Sequence, residues 1–198
     1  MKYDPKKHYR TSIRLRGYDY SQEGMYYVTV NVNDRKCCPL AEIVKNAIKL
    51  STMGEIVKGF WEDIPKRFEN VRLGEYVIMP NHIHGIVFVG AIHESPLQGS
   101  VSASSTSMRM RRKMLLPMIV GRFKMNAAKA INIKMGNCGK PFWQRDYFEH
   151  IIRDGEDLDR IREYILENPA NWKADEYYPE NIRVDPLHRG NRDWSALD

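Results

Sequence analysis

Apolar residues alternate with polar ones in several short stretches of the chain, and these stretches predict its strands. Between positions 25 and 33 the alternation has a period of two, which is typical of a strand with one buried face. Two further apolar runs, at 71–79 and 82–89, are separated only by Pro80 and Asn81, so we expect an antiparallel pair. The second run is apolar at both parities near its end. It therefore predicts a central strand that is covered on both faces.

Helical spacing of apolar residues predicts two helices between these strands and after them. The first covers about 40–60, with Gly54 as a candidate break, and a connector follows at 61–70. The second is a basic amphipathic helix over about 114–133. After a glycine-containing turn, a fourth strand is predicted at 147–152.

A last helix is predicted from Asp154 to about Glu167. Asp154 is a good N-cap, and the helix is expected to stop ahead of Pro169. The order of elements is then strand, helix, strand, strand, helix, strand, helix. The first six match a split β-α-β arrangement, so we expect an α+β fold with a ferredoxin-like or RRM-like antiparallel sheet and helices on one face. The last helix is an addition to that scaffold.

The length of 198 residues suits one domain. We expect this domain over residues 1–175, with a mobile loop rich in Ser, Gly and Pro at about 91–108 and a polar C-terminal tail at 176–198. No apolar run approaches the roughly 18 residues of a membrane span, and the N-terminus lacks the apolar core of a secretory signal. With only three cysteines, the composition favours a reducing, cytoplasmic location without membrane partners.

Positive charge is concentrated in two segments of the chain. The net charge is +6 and the pI about 9.2, and residues 109–140 contain no acid at all. Residues 1–16 contain only one acid, Asp4. This asymmetry indicates a polyanionic partner such as nucleic acid, although basic side chains are also common on solvated surfaces. The candidate DNA-binding residues are Arg10, Arg14, Arg16, Arg111, Arg112, Lys113, Arg122, Lys124 and Lys129.

Two histidines stand at the start of the third predicted strand. His82 and His84 are two residues apart, so both imidazoles point to the same side of the strand while Ile83 points to the other. Two neutral imidazoles in this arrangement can chelate one divalent metal. A pair of histidines that only make hydrogen bonds is the alternative.

The last predicted helix bears a tyrosine and an amide on one face. Tyr164 and Asn168 are four residues apart and therefore stacked along the helix. A phenol beside a group that can bind a metal suits attack on phosphorus, provided that positive charge favours the phenolate over a phenol whose ordinary pKa is about 10. An ordinary half-buried helix tyrosine is the alternative.

Several motifs, in order, resemble those of a known family, the REP-associated tyrosine transposases of the single-tyrosine transposase superfamily. The histidine pair and its surroundings look like the HUH motif (histidine, hydrophobe, histidine). The segments 142–154 and 164–169 look like the family's signature, and 119–124 resembles its basic helix. The resemblance spans about residues 8–175.

The resemblance implies specific roles for four residues. His82 and His84 match the metal ligands, Tyr164 matches the nucleophile, and Asn168 matches a third metal ligand at a position where relatives use the longer glutamine. The implied metal is Mg²⁺ or Mn²⁺. The implied reaction cleaves single-stranded DNA to a 5′-phosphotyrosine and a free 3′-hydroxyl, and a hydroxyl later rejoins the strand. The implied target is a hairpin with a flanking single strand at a repeat or transposon end. Relatives include monomers and homodimers in which the tyrosine helix of one subunit completes the site of the other.

Other assignments stay open at this point. Tyr147 is a rival nucleophile, but we favour Tyr164 because Tyr147 has no partner spaced like Asn168. Asn81 and His150 are candidates for supporting roles around the ligands, with His150 as a proton carrier, a DNA contact or a structural histidine. A nucleic-acid-binding module without catalysis, and a replication or conjugation initiator of the same nuclease class, are the alternative functions.

Overall fold

The computed structural model describes residues 23–90, 115–136 and 139–182. Several predicted features lie outside the described residues. These are the loop at 91–108, the tail from 183 onward and the basic residues Arg10, Arg14, Arg16, Arg111, Arg112 and Lys113.

Within the described ranges the chain forms six strands and four α-helices. The strands are β1 (Gly24–Asn31), β2 (Ala41–Val44), β3 (Ala47–Leu50), β4 (Val71–Ile78), β5 (His82–Val89) and β6 (Phe148–Ile152). The helices are α1 (Thr52–Glu62), α2 (Ile64–Arg67), α3 (Leu115–Met135) and α4 (Gly155–Glu167), followed by a 3-10 helix at Trp172–Ala174. Among the described residues no helix combines the length and the apolar character that crossing a membrane needs.

The main sheet has four strands in the order β4-β5-β1-β6, and every neighbouring pair is antiparallel. This is the order of a split β-α-β fold, so the predicted α+β, ferredoxin-like class is confirmed. β5 lies between β4 and β1 and is buried along nearly its whole length, as its apolar pattern predicts.

Each face of this sheet has its own apolar core. On the first face, α1, α2 and α3 pack over one side of β1 and β5, around residues such as Val28, Trp61 and Ile83. On the second face, α4 and the segment after it pack over the other side, around Ile161 and Ile165. Gly85 permits close packing on the first face, because a Cβ atom there would collide with the Trp61 ring. The added helix thus covers the face that α1 and α3 leave open.

The helix predicted over 40–60 is wrong in its first half. Residues 41–50 form the β2–β3 hairpin, and α1 begins only at Thr52, with the Ser51 side chain accepting from the N–H groups of Met53 and Gly54. Lys45 and Asn46 connect the two strands with φ of 50° and 63°. A two-residue turn with positive φ at both positions matches the twist of a hairpin, so it outweighs the weak helical spacing. The predicted connector also differs, since it contains the end of α1 and all of α2.

The segment after α4 differs from the expected polar tail. Trp172 and Tyr177 are buried in the second-face core, and the described chain continues to Ile182. The first residues of the expected tail are therefore packed against the sheet. This placement brings them to the histidines.

Candidate active site

His82 and His84 lie side by side on the second face of β5. The strand register pairs His84 with Thr29 and His82 with Asn31 of β1, while Ile83 points into the first-face core. Both imidazoles are fully buried, and their Nε2 atoms are 2.8 Å apart. The period of two predicted this shared orientation, and the structure confirms it.

Hydrogen bonds on the far side of each ring fix the orientation of the imidazoles. His82 Nδ1 donates to Asn81 Oδ1 at 2.8 Å, and the Asn81 amide nitrogen donates to the Tyr177 carbonyl at 2.7 Å. His84 Nδ1 lies 2.6 Å from the Tyr27 hydroxyl and 2.8 Å from Thr29 Oγ1. Rings anchored through Nδ1 in this way direct their Nε2 atoms toward one point, which is how metal-binding histidines are supported in proteins.

Tyr164 reaches the histidines from α4. Its hydroxyl lies 3.5 Å from His84 Nε2 and 3.4 Å from Asp175 Oδ2. The helix is anchored by buried Ile161 and Ile165 and by an Arg162–Glu75 ion pair to β4 at 3.0 Å. The expectation that the helix phenol lies within reach of the imidazoles is confirmed. All of these groups belong to one chain.

Tyr147, the rival nucleophile, is on the other side of the sheet. Its ring packs against the first-face core and lies 5.9 Å from the Lys124 ammonium. The histidines and Tyr164 belong to the second face. The geometry therefore favours Tyr164 over Tyr147 as the group next to a bound cation.

Asn168 and Asp175 complete the cluster. Asn168 is the C-cap of α4, is 3% exposed, and donates through Nδ2 to Asp175 Oδ2 at 3.0 Å. Asp175 is also buried, and its Oδ1 accepts from the backbone N–H of Tyr177 at 2.6 Å. Asn168 Oδ1 is buried and has no hydrogen-bond partner among the described residues.

This donor set fits a divalent cation. His82, His84 and Asp175 each offer a ligand atom, and these atoms all lie within 4.8 Å of one another. Asn168 belongs to the same cluster through its hydrogen bond to Asp175. Imidazole nitrogen with carboxylate oxygen is a set that Mn²⁺, Mg²⁺ and similar ions accept.

Sequence reasoning missed four residues of the site: Tyr27, Thr29, Asp175 and Tyr177. Tyr27 and Thr29 lie in the predicted first strand, on the parity that also faces the histidines. Asp175 and Tyr177 lie at the start of the predicted polar tail. The seven residues 172–178 nevertheless contain three aromatic rings, those of Trp172, Tyr177 and Tyr178. That density was the available signal, because a stretch so rich in aromatic rings has apolar area to bury.

The basic residues predicted on α3 lie away from this site. Arg122 and Lys129 are exposed, but α3 packs on the first face of the sheet, opposite the histidines. Lys124, a predicted phosphate contact, has backbone partners in the structure. Its ammonium donates to the carbonyls of residues 144, 145 and 146 at 2.8–3.2 Å, and burial lowers its pKa to about 8. Lys124 therefore holds the loop before β6.

His150 links β6 to the start of α4. Its Nε2 lies 2.8 Å from Asp157 Oδ2, and Arg160 donates to the other oxygen of Asp157 at 2.8 Å. Burial raises the pKa of the Asp157 carboxyl, but the hydrogen bonds from His150 and Arg160 outweigh it and leave that pKa below its ordinary value. This contact ties β6 to the first turn of the tyrosine helix.

Comparison with known proteins adds relatives over nearly the whole chain. A protein of Haemophilus influenzae with no assigned function is 35% identical over 178 residues, covering 89% of this chain and 97% of that protein. A second H. influenzae protein, named "Putative REP-associated tyrosine transposase", is 25% identical and covers 90% of this chain and 86% of that protein. No protein-family model matches the chain.

Two solved structures also align with it. A REP-associated tyrosine transposase bound to a REP hairpin is 20% identical, covers 91% of this chain and 98% of that chain, and has a TM-score of 0.49. A crystal structure of "a putative transposase" from Deinococcus radiodurans is 16% identical, covers 80% of this chain and 98% of that chain, and has a TM-score of 0.42.

A ferredoxin-like sheet, an HUH histidine pair on its central strand and a tyrosine on an added helix are the features on which the resemblance to the single-tyrosine transposases rests. The similarity over nearly the whole chain to a protein named "Putative REP-associated tyrosine transposase" agrees with this resemblance.

Proposed function

We propose that this chain is a metal-dependent DNA strand transferase that cleaves single-stranded DNA with Tyr164. One observation carries the proposal: the Tyr164 hydroxyl lies 3.5 Å from His84 Nε2, which is itself 2.8 Å from His82 Nε2. A phenol in this position can attack a phosphate that is held by the same cation as the histidines.

Different residues of the chain have different roles in the first step. His82 and His84, together with oxygen donors beside them, would hold the cation. When bound, a divalent cation neutralises charge on the scissile phosphate and fixes its orientation. Asn81, Tyr27 and Thr29 keep the two imidazoles in the orientation that binding needs.

Cleavage and rejoining are two transesterifications. In the first, the Tyr164 oxygen forms a bond to phosphorus and gives up its proton to solvent. The bond from phosphorus to the 3′ oxygen breaks, and this oxygen takes a proton to become a free hydroxyl. In the second, a 3′-hydroxyl attacks the phosphotyrosine and restores the phenol. The number of phosphoester bonds is unchanged in each step, so no nucleotide cofactor is required.

The proposed substrate is DNA that forms a hairpin with a single-stranded flank. A REP-associated tyrosine transposase that aligns with this chain has been solved bound to a REP hairpin, and this chain has a net charge of +6. The exposed Arg122 and Lys129 on α3 are candidates for phosphate contacts distant from the site. Such contacts strengthen binding without selecting a sequence.

The experiment is a covalent-adduct assay. Labelled hairpin oligonucleotides with single-stranded flanks are incubated with the protein and Mg²⁺ or Mn²⁺, and the products are resolved on a denaturing gel. We expect an adduct that EDTA abolishes. Tyr164→Phe should remove the adduct and leave hairpin binding in a native gel nearly unchanged.

The matched control is Tyr147→Phe, which removes a hydroxyl on the opposite face of the sheet and should retain the adduct. Adduct formation by Tyr164→Phe at the wild-type level, together with its loss in Tyr147→Phe, would reverse the assignment of the nucleophile. Binding in the native gel without any adduct from the wild-type protein would instead favour a nucleic-acid-binding module.

A further inference from the structure

We infer that the Asp175 carboxylate is a protein ligand of the cation, and that the Asn168 amide is a positioning residue for this carboxylate. The inference rests on the proposed function, because it concerns the same cation. It changes the ligand set expected from the resemblance, in which Asn168 supplies the third ligand directly.

The position of Asp175 beside the two histidines supports its role as a ligand. The ligand atoms of Asp175, His82 and His84 all lie within 4.8 Å of one another, and all three residues are buried. The buried Asp175 carboxylate accepts hydrogen bonds from Tyr164, Asn168 and the Tyr177 N–H, which hold it in this cluster. A cation held between the three residues would be coordinated by two imidazole nitrogens and one carboxylate oxygen.

The orientation of the Asp175 carboxylate supports the same role. The two oxygens of Asp175 have different partners: Oδ1 accepts from the backbone N–H of Tyr177, two residues on, at 2.6 Å. Oδ2 points toward Tyr164 and Asn168. One oxygen thus fixes the rotamer, and the other is presented to the site. Carboxylates that bind metals in proteins are held in the same way by hydrogen bonds from neighbouring groups.

The contact between Asn168 and Asp175 explains why Asn168 is a positioning residue. The Asn168 amide nitrogen has no lone pair to offer a metal, and it is the end of the amide that faces Asp175 Oδ2, at 3.0 Å. An asparagine at the C-cap of α4 therefore reaches Asp175 with its donor end. The carboxylate then brings a hard, charged oxygen to the site, which suits Mg²⁺ or Mn²⁺ better than a neutral amide does.

The test measures metal binding without DNA. Metal-free protein is titrated with Mn²⁺, and free Mn²⁺ is followed by electron paramagnetic resonance. We expect Asp175→Asn, which keeps the shape and the acceptor for the Tyr177 N–H, to weaken binding by about tenfold or more. Glu167→Gln is the matched control, since it removes an exposed carboxylate one residue before Asn168 and should bind as the wild type does.

A second measurement uses the wild-type protein and so does not depend on how the variant folds. With ¹³C-labelled aspartate, the infrared difference spectrum between Mn²⁺-bound and metal-free protein should contain a shifted aspartate carboxylate band. The same band should persist in Asn168→Ala, with weaker Mn²⁺ binding, because a positioning residue can be lost without losing the ligand.

The outcomes are distinguishable. Wild-type Mn²⁺ binding without an aspartate band, or Asp175→Asn binding at wild-type strength, overturns this inference and leaves the proposed function standing. Absence of Mn²⁺ binding by the wild-type protein overturns both the inference and the metal dependence of the proposed function.

Discussion

Replacing Asn81 with alanine tests whether the support behind the histidines matters as much as the histidines themselves. The Asn81 side chain is fully buried and makes three hydrogen bonds. Its oxygen accepts from His82 Nδ1, and its nitrogen donates to the carbonyls of Arg35 and Tyr177. The substitution Asn81→Ala removes all three at once.

The expected loss of stability follows from which partners stay buried. The bonds to His82 and to the Tyr177 carbonyl are buried, and a buried polar group left without a partner costs about 1–3 kcal/mol. The Arg35 carbonyl is only partly buried, so water can replace its donor. Partial entry of water beside the other two groups offsets some of the cost. We expect a decrease of roughly 2–4 kcal/mol in the free energy of unfolding.

The assay is urea denaturation in the presence of EDTA, followed by Mn²⁺ titration of the folded variant. Loss of the Asn81 oxygen frees the His82 ring, so Mn²⁺ affinity should fall by about 10–100-fold. Asn132→Ala is the matched control, because Asn132 makes a single exposed hydrogen bond to the Lys140 carbonyl. The control should lie within about 0.5 kcal/mol of the wild type. Equal stability of the two variants, with wild-type Mn²⁺ affinity for Asn81→Ala, would refute the reasoning.

Two further predictions concern the arrangement of the site and the basic helix. Tyr164 contacts His84 of its own chain, so a mixture of Tyr164→Phe and His82→Ala proteins should remain without adduct; restored adduct in the mixture would show that subunits exchange their tyrosines. The Lys124 ammonium has a pKa of about 8 in the folded protein against an ordinary lysine value of 10.5, so between these two pH values the unfolded chain binds more protons at this residue. The contribution of this group to the free energy of unfolding should therefore rise from pH 8 to pH 10.5. Urea denaturation at several pH values measures this slope, which should be smaller in Lys124→Met than in the wild type.

Periodicity was sufficient to predict those parts of the site that lie within one element. The period of two placed His82 and His84 on one side of β5, and the spacing of four placed Tyr164 and Asn168 on one face of α4. These relations hold wherever the element lies in the fold. The order of strands and helices was also sufficient to predict a ferredoxin-like antiparallel sheet.

Contacts between distant elements could not be predicted in the same way. Asp175 and Tyr177 reach the histidines only because the chain turns back after α4 and buries Trp172 on the second face. Nothing in the local pattern around Asp175 specifies that return. The β2–β3 hairpin was missed for a different reason, since a four-residue strand is too short for its alternation to be told from helical spacing.

The short connection between β4 and β5 limits how this protein can change in length. The backbone N–H groups of Val32 and Leu40 donate to the carbonyls of Asn81 and Pro80, so this connection is tied to two other parts of the chain, and the Met79 N–H donates to the His82 carbonyl across the turn itself. Along β5 the neighbouring positions serve opposite faces, with Ile83 in one core and the imidazoles on the other side. Deleting or inserting one residue here would either shift the whole strand and exchange these faces or break the anchored turn. Substitutions elsewhere on the surface can accumulate gradually, whereas a change of length at this connection would displace the histidine pair and disrupt core packing in a single event.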